Sequence, residues 1–145
     1  MRQFVSPPSL RGQRVVICED EGVTVMLLRK GLQRAGLNIV GEAATADQAV
    51  DLVLNTRPDI VVMDERLACD SYGTEAIGRF LPRHPCCVVM LSGARDLATQ
   101  IGAIEAGAAG FLVKPVDLDR LLTILPEIWE NYLLAQSSAG VVPSA

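Results

Sequence analysis

Acidic, hydroxyl and amino side chains follow four short apolar segments of the chain, at the points where those segments end. Glu19 and Asp20 follow the first segment, Asp64 the second, Ser92 the third and Lys114 the fourth. Apolar runs of this length that alternate with helical patterns are typical of buried strands in a parallel sheet. Because ligands of open α/β sheets bind at the carboxyl ends of the strands, we expect these side chains to gather at one edge of one sheet. Such a set would suit a divalent cation and a phosphoryl group.

The three carboxylates of Glu19, Asp20 and Asp64 would crowd together, because neighbouring parallel strands lie about 4.8 Å apart. Crowded carboxylates repel one another and need a cation. Mg²⁺ prefers oxygen ligands, with few protein carboxylates and several waters. The acidic run 19–21 has an alternative interpretation, since acidic residues are also favoured at the start of a helix. Asp64 has no such explanation, unless it caps the loop that follows.

The hydroxyl and amino groups at the strand ends also have two interpretations each. Pro115 favours an extended backbone at Lys114, which would hold its ammonium at the sheet edge, near Asp64 or a phosphoryl oxygen on it. Only two of the 13 basic residues are lysines, which favours a role for a compact point charge. The alternative is a plain salt bridge. Ser92 can donate a hydrogen bond to a phosphoryl oxygen or cap a turn, and Phe111 can equally be ordinary core.

The segments between the strand ends predict five β–α units. Strands are expected at residues 14–18, 37–42 and 59–63, in the segment that ends at Leu91, and at 108–113. Helices are expected at 22–36, after Thr45, around 76–81, between Asp96 and Gly107, and after Asp117. This alternation predicts an α/β protein, a three-layer αβα sandwich with a five-stranded parallel sheet. The crossovers between its strands must be right-handed.

Local signals define several features of the helices. Thr45 and Gln48 fit a capping box, and Asp117 can cap the last helix. Pro126 lies inside the last helical pattern, where a lost hydrogen bond and a steric clash predict a kink or a break. The fourth helix is expected to turn its large apolar residues towards the core; these are Leu97, Ile101 and Ile104.

Length and composition favour one domain with short tails. The chain has 145 residues, half of them hydrophobic, and we expect a flexible tail at 1–13, a folded domain at 14–134, and a tail or linker remnant at 135–145. No apolar stretch approaches the roughly 18–20 residues that span a membrane. The first 13 residues lack the apolar segment of a secretory signal. A cytoplasmic protein without membrane contact is therefore expected.

Charge and cysteine usage exclude two further classes of function. The net charge of −4 argues against nucleic-acid binding through bulk electrostatics. The cysteines lack C-x-x-C spacing and the chain has one histidine, so a zinc site is not expected. Cys18 and Cys87 lie within or beside apolar runs and are interpreted as small buried hydrophobic residues. The remaining cysteines are Cys69 and Cys86.

Four segments of the chain together resemble the receiver domains of two-component response regulators, the group that includes the single-domain chemotaxis regulators. The segments are VVICEDE, DIVVMD, VVMLSGARD and GAAGFLVKPVDLDRL, and the resemblance covers about residues 12–134. It implies the flavodoxin-like (βα)5 receiver fold. It also implies a phosphoprotein that acts as a signalling switch rather than an enzyme, apart from possible slow self-dephosphorylation.

The resemblance implies roles for the acidic residues. Asp64 would be the phosphorylated residue. Asp20, Asp64 and the backbone carbonyl of Arg66 would bind Mg²⁺ (or Mn²⁺) directly, and Glu19 would contribute through a water molecule. The phosphoryl donor would be a histidine of a partner, either a sensor histidine kinase or a histidine phosphotransfer protein.

The remaining roles concern the phosphorylated state. Ser92 and Lys114 would hold the phosphoryl oxygens, and Phe111 would rotate as an aromatic switch together with Ser92. A downstream target protein or domain would then bind the altered face. A homodimer would form through the fourth and last helices, and we expect contacts at an exposed region around Trp129 and Tyr132.

Several positions depart from the usual pattern of the family. Glu19 replaces the usual first aspartate, and Leu67-Ala68 stands where Met-Pro is common. The loop that leads to Gly73 is one residue longer than is usual in the family. Arg66 and Ala94 are expected to tune dephosphorylation, because both should flank the path of the attacking water. Arg66 could block that path or pair with an acid.

Three other functions compete with the receiver interpretation. An interaction module of the same fold that does not take phosphate would not need the acidic residues, Ser92 and Lys114. An aspartate-nucleophile phosphatase would carry an aspartate two residues after Asp64, where Arg66 stands, so its general acid is missing. A flavodoxin-like cofactor binder would need a Gly/Ser/Thr-rich phosphate loop after the first strand, where acidic residues stand instead.

Overall fold

The computed structural model describes residues 10–93 and 97–141, with side chains described as far as residue 137. Within these residues the strands are β1 (Arg14–Cys18), β2 (Asn38–Ala43), β3 (Ile60–Asp64), β4 (Arg66–Leu67), β5 (Ser71–Tyr72), β6 (Cys87–Ser92) and β7 (Gly110–Val113). The helices are α1 (Gly22–Arg34), α2 (Ala46–Thr56), α3 (Gly73–Phe80), α4 (Leu97–Ala106) and α5 (Leu118–Val141).

Five of the strands form one parallel sheet in the order β2-β1-β3-β6-β7. The predicted five-stranded α/β fold is therefore confirmed. The order places β1, β3 and β6 in the middle of the sheet, so both of their faces need covering, which explains their continuous apolar runs. β4 and β5 form a separate antiparallel hairpin between β3 and α3.

Two apolar cores lie on opposite faces of the sheet. Alternate side chains of each central strand enter each core, as the two-residue period of a strand requires. One core packs against buried residues of α1 and α5, and the other against α2, α3 and α4. Cys18 and Cys87 are fully buried in these cores, as predicted, and all four cysteines lie in the described part of the chain as free thiols.

The predicted caps of α2 and α5 are present. The Thr45 hydroxyl accepts a hydrogen bond from the Gln48 backbone N–H, and the Gln48 side chain accepts one from Ala44 N–H, one residue before the cap. Asp117 Oδ1 accepts hydrogen bonds from the backbone N–H groups of Asp119 and Arg120. These contacts satisfy backbone donors that have no partner within the helix.

The prediction for the buried face of α4 is wrong. Leu97, Ile101 and Ile104 are 69%, 44% and 64% exposed, and Ala103 is the buried residue instead. Both sides of this helix are apolar, so its sequence pattern did not distinguish them; the structure places the alanine side against the sheet. The predicted cap, Asp96, lies outside the described residues.

The ends of the domain differ from the predicted tails. Leu10 is buried in the core beside α1 and α5, and Gly12 donates a backbone hydrogen bond to Gly36, so residues 10–13 are packed. At the other end, α5 continues beyond residue 134 to Val141 and passes through Pro126 without a break in the helix. Residues 1–9 and 142–145 lie outside the described residues.

Trp129 is buried rather than exposed. Its side chain is 5% exposed in the core between the sheet, α1 and α5, and its ring stacks on that of Tyr132 with the centroids 5.8 Å apart. Tyr132 is partly buried. The expected contact region around these two residues is therefore wrong for Trp129, which instead contributes to the stability of the domain.

Gly73 is expected to be essential for the packing of α3 against the end of β3. A Cβ atom at this position would lie 2.3 Å from the backbone oxygen of Asp64 and 2.7 Å from Met63 Cγ. Because backbone cannot yield as a flexible side chain can, Gly73→Ala should lower the free energy of unfolding by about 1–3 kcal/mol, measured in urea.

The same substitution in the same helix provides the control. A Cβ atom at Gly78 meets no heavy atom within 4 Å, so Gly78→Ala should raise stability by about 0.5–1 kcal/mol through helix propensity. Equal effects of the two substitutions would show that the contact with Asp64 does not constrain residue 73.

Candidate functional site

The carboxyl ends of the parallel strands bring together the side chains that the sequence singles out. Glu19 and Asp20 follow β1, Asp64 ends β3, Ser92 ends β6 and Lys114 follows β7. Lys114 Nζ lies 2.7 Å from Asp64 Oδ2 and 3.0 Å from Glu19 Oε1. The sheet therefore joins two acids and one lysine that are far apart in the sequence.

The three acidic residues of the predicted metal site form one cluster. Glu19, Asp20 and Asp64 each offer a carboxylate oxygen, and these atoms all lie within 4.8 Å of one another. Glu19 and Asp64 are buried, whereas Asp20 is exposed. The cluster faces an open cleft of about 750 Å³, whose lining residues include Glu21, Glu65, Arg66, Gly93 and Thr99.

The donor set fits a hard divalent cation. All the clustered ligand atoms are carboxylate oxygens, which Mg²⁺ prefers, and the cleft leaves space for bound water. Glu19 Oε1 is buried and lies 3.0 Å from Lys114 Nζ, which is also 2.7 Å from Asp64 Oδ2. One ammonium shared between two buried carboxylates leaves negative charge uncompensated, so the cluster favours a further cation.

The electrostatics of the cluster are unbalanced. Burial raises the pKa of Glu19 to about 7, and the neighbouring Asp64 adds to the rise, whereas Lys114 and the Glu21 N–H oppose it. Burial acts to lower the pKa of Lys114, but its hydrogen bonds with Asp64 and Glu19 outweigh this effect and raise the pKa overall. Lys114 thus pairs with both acids, but its charge does not fully offset the cost of burying the Glu19 carboxylate.

Backbone groups fix the positions of these side chains. Asp64 Oδ1 accepts a hydrogen bond of 3.2 Å from Arg66 N–H, and Glu19 Oε2 accepts one of 3.1 Å from Glu21 N–H. Lys114 N–H donates to the Ser92 carbonyl at 2.7 Å. The lysine is therefore attached to the end of β6, and its side chain reaches across to β3.

Sequence reasoning missed Glu65 as a residue of the site. Ser92 is fully buried, and its hydroxyl donates a hydrogen bond to Glu65 Oε1. Glu65 is partly buried and lines the cleft beside Asp64. The signal available in the sequence was the position of this acid directly after Asp64; its partner depended on the register between β3 and β6.

Phe111 and Ser92 face the same side of the sheet. Phe111 pairs with Met90 in the β6–β7 register, and Ser92 follows Met90 by two residues, which returns its side chain to the same face. Phe111 is partly buried and packs against the core beneath α2, α3 and α4. Its placement therefore accommodates both interpretations that the sequence allows, core residue and switch.

The segment after Asp64 forms a hairpin. Cys69 and Asp70 adopt positive φ angles of 61° and 51° in the turn between β4 and β5. Ala68 N–H donates to the Ala44 carbonyl, and the Ser71 hydroxyl accepts from Ala46 N–H, so the hairpin is attached to the start of α2 and to the residue before its cap.

Arg66 is exposed on this hairpin, and its guanidinium carbon lies 5.9 Å from the centroid of the Tyr72 ring, a cation–π contact that the sequence did not reveal. Arg66 also lines the cleft. Ala94, the other residue expected to tune dephosphorylation, lies outside the described residues. In the described part of the chain, no helix combines the length and apolar character needed to cross a membrane.

Comparisons with known proteins identify a consistent family. The family model described as response regulator receiver domain matches residues 15–126. The chain is 32% identical over 118 residues to the chemotaxis protein CheY of Thermotoga maritima, covering 81% of this chain and 98% of that protein. It is 35% identical over 112 residues to the transcriptional regulatory protein PdtaR of Mycobacterium tuberculosis, covering 76% of this chain and 53% of that protein.

A solved structure supports the same assignment. A two-component response regulator of the LuxR family from Aurantimonas superposes with a TM-score of 0.76 at 29% identity, covering 83% of this chain and 86% of the other. The chain thus spans nearly all of CheY but only about half of PdtaR.

The raised pKa of Glu19 predicts a pH dependence of stability in the absence of divalent cations. Its folded value of about 7 exceeds the ordinary 4.5, so the folded state binds more protons than the unfolded state between these values. The contribution of Glu19 to stability should therefore fall as the pH rises from about 4.5 to about 7.

This prediction is checked with Glu19→Gln, which cannot titrate. Urea unfolding in the presence of a chelator should show the wild type losing stability relative to the variant over that pH range. A constant difference between the two proteins would indicate that the Glu19 carboxylate titrates normally in the folded state.

Proposed function

Because the chain belongs to the response regulator receiver domain family, whose members act in two-component signalling, we propose that Asp64 accepts a phosphoryl group from a phosphohistidine of a partner protein. Receiver domains are in general signalling modules rather than enzymes. The proposal is carried by one observation: Asp64 is buried at a strand end, paired with Lys114, and clustered with two further acids beside an open cleft.

The transfer step requires a positioned nucleophile. A carboxylate oxygen of Asp64 forms a bond to phosphorus as the phosphorus–nitrogen bond of the phosphohistidine breaks, and the imidazole nitrogen keeps the electron pair of that bond. The product is an acyl phosphate on Asp64. Phosphoryl transfer depends mainly on positioning and on stabilisation of charge. Arg66 N–H and Lys114 position the carboxylate, and Lys114 also lies where it can bind a phosphoryl oxygen.

Mg²⁺ or Mn²⁺, when bound, would supply positive charge that offsets the phosphoryl oxygens and the acidic cluster. Asp20 and Asp64 are the proposed direct ligands, together with the backbone carbonyl of Arg66, and Glu19 would act through a water molecule. The clustered carboxylate oxygens, which share the single ammonium of Lys114, support this assignment.

Ser92 and Phe111 would change position in response to phosphorylation of Asp64. The Ser92 hydroxyl would donate to a phosphoryl oxygen, and Phe111, on the same face of the sheet, would fill the space that the moving serine leaves. The downstream surface would include the exposed apolar residues of α4, namely Leu97, Ile101 and Ile104. A charge change at Asp64 would thus alter a protein-binding face.

The proposed phosphoryl transfer and the altered binding face imply two kinds of partner protein. We propose a cytoplasmic protein that receives its phosphoryl group from a sensor histidine kinase or histidine phosphotransfer protein and then binds a downstream target, with a homodimer through α4 and α5 as one form of that contact. Arg66 and Ala94 would set the rate of slow self-dephosphorylation by controlling the approach of water.

Incubation with Mg²⁺ and acetyl phosphate or phosphoramidate should add one phosphoryl group to the wild type. Asp64→Asn should abolish this labelling, because an amide is not a nucleophile towards phosphorus, whereas Asp51→Asn on the exposed face of α2 should be labelled like the wild type. Intact-protein mass spectrometry checks both. A natively folded wild type that gains no mass would instead favour a phosphorylation-independent interaction module.

Mg²⁺ should stabilise the folded protein by relieving repulsion within the acidic cluster. At a hundred times its dissociation constant, a ligand of the folded state adds about 2.7 kcal/mol to the free energy of unfolding. Asp20→Asn should lose most of this Mg²⁺ response in thermal unfolding, while Asp51→Asn should keep it. An equal response in both variants would argue against Asp20 as a ligand.

A further inference from the structure

We propose that Glu65 is a positioning residue that holds Ser92 away from the phosphoryl site and so opposes the phosphorylated conformation. The proposal rests on the function proposed for Asp64 and Ser92, and it adds a competitor for the Ser92 hydroxyl within the same cleft. The observation behind it is the hydrogen bond from Ser92 Oγ to Glu65 Oε1.

The Ser92 hydroxyl cannot donate to Glu65 and to a phosphoryl oxygen at the same time. A serine hydroxyl has one proton to donate, and in the structure that proton is directed at the Glu65 carboxylate. Ser92 is fully buried, so it cannot exchange this charged acceptor for water. A phosphoryl oxygen on Asp64 must therefore displace Glu65 before it can engage the hydroxyl. Hydrogen bonds to charged groups are among the stronger ones, which makes the displacement costly.

The backbone of Glu65 is fixed, so the exchange must occur in its side chain. Glu65 N–H donates to the Leu91 carbonyl at 2.8 Å, and the Glu65 carbonyl accepts from Gly73 N–H at 2.8 Å. These bonds attach the residue to both β6 and the start of α3. The side chain, by contrast, is partly exposed and lines the cleft, which provides a route into solvent.

Charge acts in the same direction as the lost hydrogen bond. A phosphoryl group on Asp64 would add negative charge beside Glu65, the next residue in the chain, and the Glu65 carboxylate would be repelled by it. Release of Glu65 into the cleft would reduce that repulsion. Glu65 therefore stabilises the unphosphorylated arrangement twice, as an acceptor for Ser92 and as a charge near the phosphoryl site.

A phosphoryl mimic separates these two effects. Beryllofluoride binds carboxylates as a phosphoryl analogue, and its affinity for the full chain can be titrated by ¹⁹F NMR at saturating Mg²⁺. Glu65→Ala should tighten this binding about tenfold, as expected for the loss of one competing charged hydrogen bond. Glu21→Ala serves as the matched control, because it removes another carboxylate from the same cleft without touching Ser92.

The serine provides the second arm of the experiment. In a Ser92→Ala background, Glu65→Ala should tighten beryllofluoride binding no more than Glu21→Ala does, because no hydroxyl remains to be released. A Ser92→Thr background keeps the hydroxyl and should restore the tenfold effect. Equal effects of Glu65→Ala with and without the hydroxyl would overturn the positioning role and leave only electrostatics.

The outcome for the wild type distinguishes this inference from the proposed function. A wild type that binds beryllofluoride, combined with variants that show no dependence on Ser92, overturns the role of Glu65 alone. If the wild type binds no beryllofluoride in the presence of Mg²⁺, the phosphoryl-accepting function is overturned. The proposed competition between Glu65 and a phosphoryl oxygen for Ser92 is then overturned as well.

Discussion

The burial of two carboxylates beside one ammonium is the constraint on which the site depends. Glu19 and Asp64 are both buried, and Lys114 lies within 3.0 Å of each. One ammonium cannot neutralise both acids; burial, with Asp64 beside it, raises the pKa of Glu19 although Lys114 acts to lower it. The two acids lie together because the carboxyl ends of β1 and β3 are adjacent in the sheet. The arrangement therefore favours binding of further positive charge, which is the property that the proposed phosphoryl transfer would require.

Most of the fold and of the acidic site could be predicted, because both depend on local sequence signals. A buried strand in a parallel sheet is a continuous apolar run, and its end is marked by the first polar residue, as at Asp64 and Ser92. Parallel topology then aligns these ends without further information. Side chains from distant parts of the chain, such as Glu19 and Lys114, could therefore be assigned to one edge before any contact was known.

The features that the sequence did not predict depend on contacts between elements. Both sides of α4 are apolar, so periodicity could not show that Ala103 faces the core while Ile101 faces solvent. The burial of Trp129 follows from the path of α5 across the sheet. The hydrogen bond between Ser92 and Glu65 joins residues of different segments, and it exists because β3 and β6 pair with Asp64 opposite Leu91. None of these relations is encoded in one segment alone.

The site combines a fixed backbone with side chains that can change partners. Hydrogen bonds between main-chain groups attach Lys114 to Ser92 and Glu65 to Leu91, so the ends of β3, β6 and β7 are held together. Under the proposed function, a change at Asp64 would therefore be transmitted by exchange of hydrogen bonds at Ser92 more readily than by movement of the strands. The neighbouring α4 presents three large apolar side chains to solvent and buries Ala103. An element with little buried surface is the one that a small change beneath it repositions most easily, and under the proposed function this relation would connect phosphorylation of Asp64 with a surface that partners recognise.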